Sequence, residues 1–181
     1  MRYLIVCGGK IDKEFGLNEI KTDGIDAIIA ADSGMDFLYE NGVTPDIIVG
    51  DFDSATTKAL DFFERKGQTE IHRLNPIKDD TDTEYAIRLA IREGARSIVV
   101  LGATGSRIDH VLGNISLLGI GLDSKTDISI IDTNNRIRMA DKPVTIEKSA
   151  QYGRFVSLIA VTDDNEVSLR GFKYPVTDYS F

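Results

Sequence analysis

The apolar residues of this chain follow two rhythms. In the first two-thirds, short apolar runs alternate with stretches whose apolar positions recur every three or four residues. Runs at 3–7, 27–31, 46–49 and 97–101 read as strands, with a shorter one at 70–73. The stretch 55–66 reads as a helix with Leu60, Phe62 and Phe63 on an inner face. The stretch 81–93 places Tyr85, Ala86, Leu89 and Ala90 at helical spacing, and a further helix runs from Arg107 to about residue 118. Strand–helix alternation of this kind predicts an α/β fold, a Rossmann-like parallel sheet with helices on both faces.

After residue 126 the helical period fades. Short strands are expected at 127–131, 136–139, 144–147, 154–161 and 166–169. Turn signals separate them: Thr133-Asn134-Asn135, Asp141-Lys142-Pro143 and Thr162-Asp163-Asp164-Asn165. That spacing suits an antiparallel β-sandwich. The chain therefore divides into an α/β domain at 1–126 and a β-sandwich domain at 127–181.

Composition narrows the classes. Of 181 residues 42% are hydrophobic, enough for a packed core, which excludes wholesale disorder. The balance of 21 Lys+Arg against 29 Asp+Glu, a net charge of -8, argues against a nucleic-acid binder. It leaves a nucleotide substrate open, because Mg2+ can bridge carboxylates to phosphates. The single cysteine, Cys7, has no internal partner and sits in an apolar run, so a buried, inert thiol is expected. The opening apolar run is too short for a signal-peptide core, and no stretch approaches the ~20 apolar residues of a membrane span. A cytoplasmic protein without a membrane partner is the expectation.

The candidate chemistry lies where the strands end. In parallel sheets ligands bind beyond the carboxyl ends of the strands. Here those ends carry Gly8-Gly9, Asp32-Ser33-Gly34, Gly50-Asp51-Phe52-Asp53-Ser54 and Gly102-Ala103-Thr104-Gly105. Asp51 and Asp53 are two apart, so in an extended segment both carboxylates face one point. They repel unless a cation or a proton sits between them, and Mg2+ suits an all-oxygen set. The alternative is an acidic turn in which Asp53 or Ser54 caps the next helix. The run Lys78-Asp79-Asp80-Thr81-Asp82-Thr83-Glu84 holds four carboxylates where capping and the helix dipole require fewer. Asp79, Asp80 or Asp82 could complete a metal shell, and Lys78 could meet a phosphate. In Gly102-Ala103-Thr104-Gly105-Ser106-Arg107 small residues let backbone N–H groups approach an anion, and Arg107 adds a forked donor. The loop lacks the Gly-Lys-Ser/Thr ending of a P-loop. Arg107 and Asp109 also fit a salt-bridged helix start, His110 fits a structural histidine as well as a base, and His72 shows no partner pattern.

Together these segments resemble the thiamine pyrophosphokinase family. Ala31-Asp32-Ser33-Gly34, the run from Pro45 to Ser54, Lys78-Asp79-Asp80-Thr81-Asp82, and the run from Gly102 to His110 occur in that family's order. The resemblance implies an ATP-binding α/β domain followed by a thiamine-binding β-sandwich, here cut short at its C-terminus. It implies a cytoplasmic homodimer that transfers pyrophosphate from ATP to the hydroxyl of thiamine, giving thiamine diphosphate and AMP. It implies Mg2+ held by Asp51, Asp53 and Asp82. The ATP contacts it implies are Asp32, Ser33, Gly34, Asp51, Lys78, Asp79, Thr104, Gly105, Ser106 and Arg107, with Arg107 also acting in catalysis. Asp109 and His110 fall on the thiamine side. The residues agree on reaction type: attack on phosphorus needs positioning and charge neutralisation more than a covalent nucleophile. Two other readings compete, a Mg2+-dependent phosphatase with Asp51 or Asp53 as nucleophile, and a non-catalytic nucleotide or thiamine binder.

Overall fold

The computed structural model describes residues 1–52, 57–75, 80–105, 107–163 and 165–180, with Thr57 described by its backbone alone. Along them run β1 (Arg2–Val6), α1 (Lys13–Ile20), β2 (Ala27–Ala31), α2 (Gly34–Glu40), β3 (Ile47–Gly50), α3 (Thr57–Lys66), β4 (Glu70–Arg73), α4 (Asp82–Arg92) and β5 (Ser97–Leu101). Then follow α5 (Ile108–Ser116), α6 (Gly119–Ser124), β6 (Asp127–Ile131), β7 (Arg136–Ile137), β8 (Glu166–Leu169) and β9 (Val176–Ser180).

Seven strands form one sheet in the order β4-β3-β2-β1-β5-β6-β7. β1 to β6 are parallel, and β7 returns antiparallel beside β6. The strands from β1 to β4 step outward on one side of β1, and β5 and β6 lie on the other. The order reverses between β1 and β5, which opens a crevice at their carboxyl ends.

Alternation along β1 explains the layers. Tyr3, Ile5 and Cys7 enter one apolar layer with Ala86, Ile87, Leu89 and Ala90 of α4. Leu4 and Val6 enter the opposite layer with Met35 and Leu38 of α2 and Ala59, Leu60 and Phe63 of α3. Successive side chains of a strand point to opposite faces, so a strand covered on both sides reads as a continuous apolar run. Phe62 departs from the expected inner face: Phe63 is fully buried, whereas Phe62 is 45% exposed. Adjacent helical positions diverge by about 100°, so one face cannot take both. Phe62 instead lies edge-on to Tyr39, ring centroids 5.2 Å apart.

The sheet continues past the division expected at residue 126. β6 hydrogen-bonds to β5, and Ile128, Ile130 and Ile131 are all buried. Both of its faces are covered, as in the other strands: Ile128 and Ile130 join one layer and Ile131 the other. Beyond it, β8 and β9 form a separate two-stranded antiparallel sheet with an irregularity between Val167 and Leu169. The expected strands at 144–147 and 154–161 do not form; their backbone enters neither sheet, and apolar side chains such as Phe155 and Ile159 stand exposed. Among the described residues no helix is long and apolar enough to cross a membrane.

Two neighbouring rings test this packing. Phe63→Ala should lower the unfolding free energy in urea by about 3–5 kcal/mol, because it opens a cavity between helix and sheet. Phe62→Ala should lower it by far less, and equal losses would contradict the assignment of the buried face.

Candidate active site

The site is built on the carboxyl edge of the sheet. β2 and β3 run side by side, and each is followed by an aspartate, Asp32 after Ala31 and Asp51 after Gly50. α4 leads from β4 back to the start of β5 and packs on β1, β2 and β3, which brings its first residue, Asp82, to the same edge. One carboxylate oxygen from each of Asp32, Asp51 and Asp82 lies within 4.8 Å of the others. All three side chains are half-buried.

Local backbone chemistry aims these groups. Asp32 (φ 48°) and Phe52 (φ 63°) lie in the left-handed region. Aspartate tolerates that region, but a phenylalanine there is strained and must be held by its surroundings. The Arg73 guanidinium stacks 5.4 Å from the centre of the Phe52 ring, and Arg73 pairs with Glu64 of α3. A Cβ on Gly50 would stand 3.1 Å from the Phe52 ring and 3.2 Å from the Asp32 Cα, so glycine here lets both close in. At α4, Thr81 Oγ1 accepts from the Glu84 N–H at 3.1 Å, which caps the helix and sets Asp82 in its first turn.

Three carboxylates this close repel one another, and a cation among them removes the repulsion. Oxygens bound to one Mg2+ at about 2.0–2.1 Å lie at most about 4 Å apart, and those of Ca2+ at about 2.3–2.6 Å reach about 5 Å. The observed spread suits a hard divalent cation after slight closure. Asp32, Asp51 and Asp82 therefore fit a metal. Asp51 and Asp82 were expected as ligands; Asp32 was expected as an ATP contact and joins them here. Asp53, the third expected ligand, lies outside the described residues, as do Lys78, Asp79 and Ser106.

Beside the carboxylates, two glycine loops meet across the crevice. Gly9 N–H donates to the Gly102 carbonyl at 2.9 Å, and a Cβ on Gly9 would come within 2.3 Å of that oxygen. Ser33 covers Gly8, where a Cβ would meet its hydroxyl at 1.9 Å. Gly34 lies under the Val6 carbonyl, where a Cβ would likewise stand 1.9 Å from the oxygen. Asn114 of α5 donates to the Ala103 carbonyl at 2.9 Å.

Thr104 does not offer its hydroxyl to the crevice; it donates to Asp132 Oδ2 at 2.8 Å. The backbone N–H groups of Asn134 and Asn135 each donate to Asp132 Oδ1 at 2.8 Å. Burial pushes the Asp132 carboxyl up, but the hydrogen bonds from Asn134, Asn135 and Thr104 outweigh it and hold it below its ordinary value. Arg107 and Asp109 face each other on the exposed start of α5, with Arg107 Nη2 2.6 Å from Asp109 Oδ2. Their hydrogen bond lowers the Asp109 carboxyl and raises the Arg107 guanidinium. His110 follows, exposed, in the same turn. His72 lies apart on β4, with Nδ1 3.2 Å from the Tyr85 hydroxyl and Nε2 2.6 Å from Glu70 Oε1.

Cys7 is buried 3.4 Å from the Thr83 hydroxyl, and burial pushes its thiol up to about 11. It is a packing residue, as expected. Asn114 and Asp132 were not singled out as site residues from sequence; Gly8-Gly9 was read as one of the strand ends on the candidate edge, without a role for either residue. Asp132 leaves one sequence signal, an Asp followed by Thr133-Asn134-Asn135, which marks a side-chain-capped turn but not its remote partner.

Comparison with known proteins bears on this site. The model of the family described as "Thiamin pyrophosphokinase, catalytic domain" matches residues 21–131. A second, "Thiamin pyrophosphokinase, vitamin B1 binding domain", matches residues 143–181. The chain is 36% identical over 152 residues to a thiamine pyrophosphokinase of Bacillus subtilis (strain 168), covering 83% of this chain and 70% of that one. The crystal structure of a Bacillus subtilis thiamine pyrophosphokinase superposes with a TM-score of 0.86 at 33% identity, over 99% of this chain and 84% of the other. That of a Geobacillus thermodenitrificans thiamin pyrophosphokinase gives 0.79 at 27% identity, over 100% and 83%.

Two outcomes test this geometry. Titrating Mn2+ into the protein by calorimetry should show binding that Asp82→Asn weakens at least about tenfold, because one charged ligand is lost; unchanged affinity would remove Asp82 from the shell. Iodoacetamide at pH 8 should alkylate Cys7 about 10²-fold more slowly in the native protein than in urea. The raised thiol also sets a pH sign. The stability it contributes is fully present below its ordinary value of 9.0 and is lost as pH rises through about 11.

Proposed function

The chain belongs to the thiamin pyrophosphokinase family, and on that premise we propose how its own residues carry the reaction. The function is thiamine pyrophosphokinase activity, with ATP and thiamine as substrates. The thiamine hydroxyl oxygen forms a bond to the β-phosphorus of ATP. The bond from that phosphorus to the α,β-bridging oxygen breaks, AMP leaves with that oxygen, and the hydroxyl proton is lost.

The observation that carries this reading is the meeting of Asp32, Asp51 and Asp82 beside two glycine loops at the reversal of strand order. We take the ion there to be Mg2+, held by Asp32, Asp51 and Asp82 with Asp53. When bound, it would neutralise phosphate charge and polarise the reacting phosphorus. The Gly102–Gly105 backbone, kept close to Gly9, leaves room for phosphate oxygens without side-chain obstruction. Ser33, Gly34, Lys78, Asp79 and Ser106 are assigned to the same nucleotide.

Arg107 and Asp109 change partners in this account. Their ion pair is exposed, and exposed pairs contribute little. A phosphate oxygen pair is a better match for the guanidinium fork. Arg107 then turns to the transferring group, where charge develops, and Asp109 is released for the aminopyrimidine or hydroxyl of thiamine, with His110 beside it. We take the working protein to be a cytoplasmic homodimer; the exposed Phe155, Ile159 and Val161 support an apolar contact between subunits.

The experiment is AMP release from ATP and Mg2+, with and without thiamine. Thiamine-dependent AMP, with thiamine diphosphate formed in equal amount, is the expected result. Inorganic phosphate without AMP would support a phosphatase, and ligand binding without product a non-catalytic binder. Asp51→Asn should lower kcat at least about 10²-fold with the fold intact by circular dichroism; a near-normal rate would remove Asp51 from the site.

A further inference from the structure

We propose that Asp132 is a positioning residue that couples the glycine loop to the vitamin-binding segment of the chain. The proposal rests on the activity assigned above. The Asp132 carboxylate accepts the Thr104 hydroxyl at 2.8 Å across 28 residues of sequence. Its main-chain carbonyl accepts the hydroxyl of Tyr152 at 2.5 Å. Thr104 belongs to the loop assigned to phosphate, and Tyr152 lies in the stretch matched as vitamin B1 binding. One residue at the end of β6 therefore holds both.

The local turn alone does not require this arrangement. Asp132 Oδ1 already accepts the Asn134 and Asn135 N–H groups, and the Asn135 side-chain amide reaches the same oxygen at 3.0 Å. A side-chain-capped turn is complete with those bonds. Oδ2 accepts the Asn135 amide at 3.2 Å as well, but its shorter bond, 2.8 Å, leaves the turn for Thr104. The other anchor is also fixed. Tyr152 packs against the apolar layer that holds Leu4 and Val6, and the Arg136 guanidinium lies 4.7 Å from its ring centre. Arg136 pairs in β7 opposite Ile131, so the hairpin that follows Asp132 grips the ring as well.

The loop needs such an anchor. The carbonyls of Gly102 and Ala103 are held by Gly9 and Asn114, both inside the α/β unit. Thr104 is the next residue along, and among the described residues of the loop its side chain reaches Asp132. A shift of Tyr152 is thereby transmitted through the Asp132 carbonyl to the phosphate loop, and occupancy on the thiamine side alters ATP affinity. By reciprocity ATP alters thiamine affinity by the same factor.

The test is a double-mutant cycle on the full chain, read both in KM for ATP and in ATP affinity by equilibrium titration. Thr104→Val and Asp132→Ala should each weaken ATP binding about tenfold, the loss of one bond to a charged group. The double variant should lose no more than the worse single variant. Tyr152→Phe, which removes one hydroxyl from the vitamin-binding segment, should raise KM for ATP severalfold without lowering the melting temperature. Additive effects of Thr104→Val and Asp132→Ala would overturn the proposal, as would unchanged ATP affinity in Tyr152→Phe. Should Asp132→Ala not fold, the Thr104→Val and Tyr152→Phe pair gives the same decision by its non-additivity. The titration needs no turnover. Loss of thiamine-dependent AMP in the parent chain would therefore strike the assigned activity, and additivity in binding would strike the coupling.

Discussion

Three carboxylates within 4.8 Å of one another must be held together against their own charge. Everything else in the site follows from how the fold meets that demand. Repulsion acts on side chains at the ends of strands and at the start of a helix, so it is resisted by the packing beneath them. β2 and β3 are buried on both faces, and α4 is fixed by Ala86, Ile87, Leu89 and Ala90 against the sheet. The dipole at the α4 N-terminus favours the Asp82 anion where it stands. The packing thus holds the three carboxylates together at one edge, where a divalent cation would offset their mutual repulsion.

Close backbone approach is the second part of that solution. Glycines at 9, 34 and 102 let neighbouring strand ends meet with no side chain between them. At Gly34 the Val6 carbonyl fills the place of a Cβ, which sets where α2 starts and hence where Asp32 points. At Gly102, with φ 69°, the chain turns in a conformation that L side chains rarely adopt. The same closeness that shapes the crevice leaves it lined by backbone, which suits a ligand rich in anionic oxygens.

Much of this was legible in the sequence, for a physical reason. Strands covered on both faces print as apolar runs, and their carboxyl ends print as Gly, Asp and Ser. So β1 to β5 could be read to within one residue, and the turns after β1, β2 and β5 as one glycine-rich and acidic edge. What needed register could not be. The meeting of Asp32 with Asp51 and Asp82 depends on β2 and β3 ending level, which no single segment states. Thr104 as a partner of Asp132 depends on β6 lying beside β5. β6 was read into the second domain because the helical period fades after residue 126 and a series of short strands separated by turns begins there. The stretches 144–147 and 154–161 carry strand-like composition, but a strand exists only with a partner, and their apolar side chains stand exposed. β9 was missed because Asp178, at φ 48°, breaks its alternation.

The central claim is that one metal ion organises the carboxyl edge of the sheet through Asp32, Asp51 and Asp82. The most direct measurement is anomalous diffraction from crystals grown with Mn2+ and a non-hydrolysable ATP analogue. The expected result is an ordered ion bonded to oxygens of these three aspartates, with phosphate oxygens completing its shell beside Gly102–Gly105. An ion ordered elsewhere, or phosphates bound away from that loop with the aspartates uncoordinated, would contradict it.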